Sequence, residues 1–376
     1  MSSSHSSFHH QSVLLSQTVE SVCSGNGSIY LDGTLGGGGH TKMILEREPL
    51  SFVIGIDRDQ QALEAATQRL QEFGDRFFPM HGCFADMKEL VEQATLPDSF
   101  EEKLHRQDSD TFLFDGILLD LGVSSPQLDH PDRGFSFSKD GPVDMRMDRS
   151  HGIPARDFLQ TLDQDQLADI LYHYGEEPRS RRIAKAIIEG NPWESTIALA
   201  ECISRASGYK NSKTHPATRS FQAIRIAVNS ELEQLEKGLQ KSIFLIKEGG
   251  ILSVISFHSL EDRMVKDHFR FWAGITTPRD IWGHSSIPTL GTLIHKKGLS
   301  GKEHDSQNAR SRSARLRCFQ RNQQKILPEH IFVDTQKKLS SPTRNNQSSN
   351  INQKEKKEKE KKEKEKKYKK NKSNLR

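Results

Sequence analysis

The sequence predicts an α/β fold built on a parallel sheet and interrupted once by a helical insertion. Three observations lead there. The short apolar runs SIYLD (28–32), FVIGID (52–57) and DGILLD (115–120) each end at an aspartate and are separated by helical segments, the strand–helix alternation of a parallel sheet. Residues 131–220 then hold helical patterns with loops and no convincing strand. Beyond them ILSVISF (251–257) resumes the strand pattern, so the insertion divides one α/β domain.

Taken in order, residues 1–11 read as a flexible lead-in, and SVLLSQTVESV (12–22) has the apolar spacing of a short helix. GHTKMILERE, between the first two strands, has helical character, and QQALEAATQRLQEF (60–73) is a helix with Leu63, Ala66, Leu70 and Phe73 on one face. In the insertion, FLQTLDQDQLADILYHY, SRRIAKAIIEG and TIALAECISRAS are helices. A long helix is expected from about Ser220 to Ile246, where Ile224, Val228, Leu232, Leu235, Leu239 and Ile243 form a stripe that Gly249-Gly250 ends. The expected division is therefore 12–130 with 221–333 for the α/β domain and 131–220 for the insertion. From 334 to 376 the chain turns to Ser, Asn and Gln and then to Lys/Glu repeats, which bury too little apolar surface to order.

The formal net charge of +4 is misleading, because Lys354 to Arg376 alone carries +8 and the remainder holds 41 basic against 45 acidic residues. Nucleic-acid binding must therefore come from a local patch. Cys23, Cys83, Cys202 and Cys318 form no C-x-x-C pair, which speaks against a zinc site or a disulfide framework and for a reducing compartment. The polar start MSSSHSSFHHQS lacks an apolar signal region, and no apolar run reaches 18 residues. A cytoplasmic protein without a membrane partner is expected.

The densest chemical signal is DGTLGGGGH (32–40), placed where a strand gives way to a helix. Its glycines, Gly38 and Gly39 among them, let backbone approach a ligand beside a helix N-terminus. The dinucleotide fingerprint fails, since the sixth position counted from Gly36 is Thr41. Asp32 before the loop would repel a pyrophosphate and suits a cation, such as the amino group and sulfonium of S-adenosylmethionine. Asp57 ends the second strand, where an acid can accept both ribose hydroxyls. A helix N-cap is the competing role, for which Asp59 is at least as well placed. Asp120 ends the third strand before a loop containing Ser124, Ser125 and Pro126, beyond the carboxyl end of the sheet where ligands sit. Phe84 in HGCF is a candidate to stack on an adenine, with a core role competing.

Two stretches interleave basic and aromatic residues. RGFSFSKDGPVDMRMD (133–148) holds Arg133, Phe135, Phe137 and Arg146, and HPATRSFQAIRIAVNSELE (215–233) holds Arg219, Arg225 and Asn229. That mixture suits phosphates and an unpaired base, with structural ion pairing as the alternative. SFHSLEDRMVK (256–266) sets Ser256, His258 and Ser259 past a strand end, but a hydrolase is disfavoured without a G-x-S-x-G elbow.

With HQSVLL, YGEE, GGILSVISFHSLEDR and NARSRSARLR added, these segments cover about residues 10–320, and the chain resembles the bacterial 16S rRNA (cytosine-N4)-methyltransferase family, called RsmH or MraW. The resemblance implies a class I, Rossmann-like methyltransferase with an inserted helical substrate-recognition domain. It implies S-adenosylmethionine as methyl donor, no metal, and a cytidine in the decoding region of the small ribosomal subunit as acceptor. It carries cofactor contact to Gly38, Gly39, His40, Asp57, Phe84, Asp120 and Gln127, and for Gln127 it supplies the whole case. The Asn/Asp-Pro-Pro-aromatic loop of many amino-methylating enzymes is absent, so Asp120 and the Gly122–Pro126 loop, with Asn229 or His258, are the catalytic candidates. Competing functions are amino-methylation of DNA or protein, a ribosome-assembly factor without chemistry and, more distantly, a nicotinamide dehydrogenase. Monomer and homodimer both remain open.

Overall fold

The computed structural model describes residues 12–23, 25, 29–103, 105–106, 112–209, 214–279, 281–283 and 288–322. The expected flexible lead-in and Lys/Glu tail lie outside the described residues.

Among the described residues, seven strands form the main path of a nine-stranded sheet: β1 (Ile29–Asp32), β2 (Phe52–Asp57), β3 (Phe77–His81), β4 (Phe112–Asp120), β5 (Ile246–Ser256), β6 (Gly291–Leu293) and β7 (Arg315–Arg321). Their spatial order is β3-β2-β1-β4-β5-β7-β6. The first five are parallel, and β7 runs antiparallel between β5 and β6. This is the class I, Rossmann-like methyltransferase arrangement. The chain winds outward from β1 in one direction and then restarts at β4 in the other. A crevice therefore opens between the carboxyl ends of β1 and β4, where α/β sheets bind ligands. Asp32, Asp57 and Asp120 close β1, β2 and β4 on that edge.

On one face lie α1 (Leu15–Val22), α2 (Gly39–Arg47) and α3 (Gln60–Arg69), packing Val19, Ile44, Leu63 and Ala66 against Tyr30 and Val53. Asp59 caps α3 by accepting the Gln61 N–H, so the capping role belongs to Asp59 and not Asp57. The expected helix stops at Arg69, and residues 71–76 continue as a 3₁₀ turn. The other face is covered by α4 (Met87–Gln93) and by two later helices. Between them, α5 (Ser125–Asp129) follows β4, and α6 (Ala155–Gln160), α7 (Gln164–Gly175), α8 (Ser180–Gly190) and α9 (Thr196–Ser207) build a second, separate core. Two of these show clear local signals: an Asp163–Gln166 capping box starts α7, Ser195 caps α9, and Gly208 at φ 61° ends α9.

The long helix expected over 220–246 is two helices. α10 (Thr218–Asn229) and α11 (Glu231–Leu245) meet at Ser230, whose φ of 51° is left-handed. The physical reason is that the two halves face different cores. Phe221, Ala223 and Ile224 pack with the helical unit, whereas Leu232, Leu235, Leu239 and Ile243 lie on the sheet. The boundary expected at residue 220 thus falls inside α10. Asn229 fixes the break: its Oδ1 accepts the Met147 N–H at 2.8 Å, and its Nδ2 donates to the Met145 and Arg225 carbonyls at 2.7 and 2.9 Å. α11 also ends at Leu245, before the glycine pair, and β5 begins at once. α12 (Ser259–Trp272) completes this face. Among the described residues, no helix is long and apolar enough to cross a membrane.

Asn229→Ala strands a buried N–H and two carbonyls, so it should cost about 2–3 kcal/mol of stability, measured by urea denaturation. Unchanged stability with lost activity would instead give Asn229 a chemical role.

Candidate active site

At the carboxyl edge of β1, β2 and β4 lies a cavity of about 410 Å³, within the size range of small-molecule sites. Its floor is the glycine loop. Asp32 itself is fully buried beneath that loop and does not line the cavity: its oxygens accept the Thr34 N–H at 3.2 Å and the Thr41 hydroxyl at 2.7 Å. It shapes the turn from below. Gly38 also lies outside the lining; its φ of 72° and the Leu70 and Ala66 side chains beneath it leave no room for a Cβ. Gly39 does face the cavity, and a Cβ there would stand 2.0 Å from Ser12 Oγ.

Asp57 lines the cavity beside the loop. Its carboxylate accepts the Gly36 N–H at 2.6 Å and the Asp59 N–H at 2.8 Å. Burial pushes its pKa up to about 6 despite those two donors, and burial does the same to Asp32. Phe84 lies over Gly238 of α11, where a Cβ would meet its ring at 2.5 Å. The small residue lets the ring form part of the wall.

Asp120 is the least compensated group. Oδ1 is shut off from solvent with no hydrogen-bond partner, and Oδ2 lies 3.8 Å from His40 Nδ1, whose other ring nitrogen sits 3.1 Å from the Val13 carbonyl. Burial, then the nearby Asp32 and Glu261 carboxylates, raise its pKa well above the ordinary value. Ser124, Ser125 and Gln127 also line the cavity, but Pro126 does not. Ser124 and Gln127 form a capping box for α5, and Gln127 Nε2 donates to Asp59 at 2.8 Å. Both polar ends of Gln127 are thus engaged in holding the loop after β4.

Asn229 does not reach the cavity, being consumed by the contacts at the helix break. His258 also stands behind the wall, capping α12, with Nε2 3.2 Å from Glu261 Oε1. Ser259 donates its hydroxyl to Glu176, which leaves no serine–histidine nucleophile here. Two cavity acids escaped the sequence reading. Glu261 accepts the Phe257 N–H at 2.8 Å, and although burial pushes its pKa up, His258 and Arg225 hold it below the usual carboxylate value. Glu231 grips Arg225 through two bonds of 2.7 and 2.8 Å. Glu231, His258 and Glu261 bring potential metal-ligand atoms within 4.8 Å of one another, but a cation there would compete with Arg225 for Glu231. The ends of HQSVLL and NARSRSARLR complete the wall through Ser12, Val13, Ala309, Arg310 and Ser313. The lining sets Asp57, Asp120, Glu231 and Glu261 against Arg58, Arg225 and Arg310. Glu231 is tied to Arg225, and Arg310 to Asp129 outside the lining, so the carboxylates of Asp57, Asp120 and Glu261 leave the cavity suited to a positively charged ligand with a polar, hydroxyl-bearing part.

Most residues singled out for RNA are engaged internally. Arg133 is buried, 2.8 Å from Asp59, and donates to the Arg146 and Met147 carbonyls, so it anchors the loop. Phe135 is in the helical core, and Phe137 packs on His215 and Phe221. Arg146 forks onto Asp144 and Arg225 onto Glu231. Arg219 is exposed, giving one N–H to the Glu176 carbonyl. For Arg133 and Arg146 the cause is the irregular backbone of residues 134–152, whose carbonyls at Arg146, Met147, Arg149 and Gly152 they satisfy.

A profile of the MraW methylase family matches residues 7–322. A protein of Trichlorobacter lovleyi named ribosomal RNA small subunit methyltransferase H is 44% identical over 323 residues, 84% of this chain and 98% of its own. Proteins of the same name from a Cyanothece species and from Magnetococcus marinus are 45% and 44% identical over 314 and 330 residues. These alignments span 84% of this chain and 95% and 99% of theirs.

Because the folded-state pKa of Asp120 is raised, its ionisation costs stability as pH climbs from the ordinary carboxylate range. Asp120→Asn should therefore raise Tm by a few degrees at pH 8, and the gain should shrink toward pH 5 in thermal scans. A lower Tm at pH 8 would contradict this electrostatic picture.

Proposed function

The chain belongs to the MraW methylase family, and from that membership and the cavity we propose that it methylates the N4 amino group of one cytidine in the decoding region of 16S rRNA, with S-adenosylmethionine as donor. The observation that carries the reading is Asp120, a carboxylate with an unpartnered buried oxygen at the end of β4, facing the crevice that Asp57 and the glycine loop enter from β1 and β2. The donor fits that arrangement. Asp57 accepts the ribose hydroxyls, Phe84 stacks the adenine, Gly39 leaves room for backbone to approach, and the excess of carboxylates offsets the positive sulfonium. Asp32, Gly38, His40 and Gln127 act indirectly, by holding the loops that carry these contacts.

When bound, S-adenosylmethionine supplies an electrophilic methyl group. The cytosine amino nitrogen is a poor nucleophile because its lone pair is delocalised into the ring. The task of the chain is therefore to orient the base and polarise that amine. The Asp120 carboxylate and the carbonyls of the Gly122–Pro126 loop accept the amino hydrogens, which turns the nitrogen lone pair toward the methyl group. As the N–C bond forms and the S–C bond breaks, one amino proton passes to Asp120 and then to water. Arg225, fixed by Glu231, offers a donor for the base edge, and Glu261 keeps its charge beside Asp120. The cytidine enters unstacked.

The helical unit, residues 131–220 with the rest of α10, serves substrate recognition, with exposed Arg219 on its surface. The names of the relatives support a ribosomal acceptor over DNA or protein. A ribosomal acceptor entails action in the cytoplasm.

Purified protein, labelled S-adenosylmethionine and small subunits from a strain lacking this enzyme should yield N4-methylcytidine at one decoding-region position, mapped by nuclease digestion and mass spectrometry. Label entering DNA or protein instead would overturn the acceptor. Asp57→Ala should weaken donor binding by about tenfold to a hundredfold, the worth of charge-assisted bonds to the ribose, by calorimetry. An unchanged Kd would remove Asp57 from the site.

A further inference from the structure

A second feature lies on the helical unit, outside the cavity. A groove of about 790 Å³ runs between α7 and the start of α8, lined by Asp169, Tyr172 and His173 on one side and by Arg179, Arg181 and Arg182 on the other. Gly208 closes its end. A Cβ on Gly208 would stand 3.4 Å from one Arg179 Nη and 3.6 Å from one Arg182 Nη, so two guanidiniums converge on a spot left open by a glycine. Arg179 is anchored there, donating to the Ser207 carbonyl and lying 4.2 Å over the Tyr209 ring.

The other two arginines have a different status. Among the described residues Arg181 and Arg182 have no ion pair and no hydrogen bond, and the positions one turn on, Lys185 and Ala186, offer no acid. An acid three or four residues along the helix would be placed to pair with such an arginine. Here Asp169 is the one acid lining the groove, against three arginines. Beside them Tyr172 leaves 56% of its surface exposed, with the His173 ring edge-on at 5.2 Å. An anchored guanidinium, Arg179, converging with Arg182, which has no acid partner among the described residues, beside an exposed aromatic face is chemistry that holds a nucleic-acid phosphate and stacks an unpaired base.

We propose that this groove is a second RNA-docking site, seating a backbone phosphate of the ribosomal RNA between Arg182 and Arg179, with Arg181 beside it and a base against Tyr172. The proposal rests on the reading of ribosomal RNA as the acceptor and deepens it. Glu176, which follows α7, takes bonds from Ser259 and Arg263 at the start of α12 and so ties the helix that carries Tyr172 and His173 to the helix after β5.

The test compares wild type, Arg181→Glu/Arg182→Glu, Tyr172→Ala and the control Lys237→Glu, an exposed ion-paired lysine on α11. Each is assayed for binding to fluorescein-labelled 16S rRNA across a salt series, for donor affinity and for kcat and KM on small subunits. The double variant should weaken RNA binding about tenfold or more and lower the slope of log K against log salt by about one to two. It should also raise KM with kcat, donor affinity and Tm unchanged. Tyr172→Ala should weaken binding without changing the slope, and Lys237→Glu should do neither. Equal RNA affinity and slope for wild type and the double variant would overturn the groove even if methylation proceeds normally. Lost affinity for a ribosomal protein with RNA binding intact would overturn it in favour of an acidic protein segment. Should wild type bind RNA through these arginines yet methylate no cytidine, the groove stands and the catalytic reading fails.

Discussion

The site depends on the cost of crowding carboxylates at the carboxyl edge of a parallel sheet. β1, β2 and β4 each deliver an aspartate there, and burial raises the pKa of all three. Two of them are partly compensated by donors of the glycine loop, Thr34 and Thr41 for Asp32 and Gly36 for Asp57. Asp120 keeps one oxygen without a hydrogen bond and has Asp32 and Glu261 for neighbours. An isolated fold gains nothing from such an arrangement. A cation arriving beside these groups relieves it, so the cost of burying their charge becomes affinity for a positively charged donor.

The same economy explains how the helical unit is tied to the cavity. α10 belongs to the helical core and α11 to the sheet, and the left-handed turn at Ser230 lets them diverge. Across that turn Arg225 and Glu231 clasp each other inside the cavity wall, while Asn229 holds the loop at Met145 and Met147. Arg133 and Gln127 converge on Asp59, which caps α3. The helical unit and the cavity are thus joined by buried polar contacts in which most polar atoms have a partner.

What the sequence made legible follows from where the signal was local. Strands that end in aspartate and a glycine loop before a helix are written in adjacent residues, so the sheet and the positions of Asp57 and Asp120 could be read directly. The helix break could not, because Ile224, Val228, Leu232 and Leu235 keep a helical spacing straight through Ser230, and only the opposed cores reveal that the stripe serves two surfaces. Arg133 and Arg146 looked like phosphate ligands because composition cannot distinguish a free cation from one that satisfies carbonyls. Glu261 went unnoticed inside SFHSLEDR, where the serine and histidine drew attention, since nothing in spacing alone shows that the helix turns its acid inward. Arg181 and Arg182 sit in SRRIAKAIIEG, which its spacing marks only as a helix, and their lack of partners among the described residues is visible only in three dimensions.

The central claim is that the charge of the donor is balanced by a carboxylate whose proton is bound too tightly in the free protein. Calorimetric titration with S-adenosylmethionine over a pH series, in buffers of different ionisation enthalpy, counts the protons exchanged on binding. Because a positive charge lowers the raised pKa of Asp120, the account predicts proton release that is largely lost in Asp120→Asn and when S-adenosylhomocysteine, which lacks the sulfonium charge, is the ligand. No release with S-adenosylmethionine, or equal release with both ligands, would contradict it.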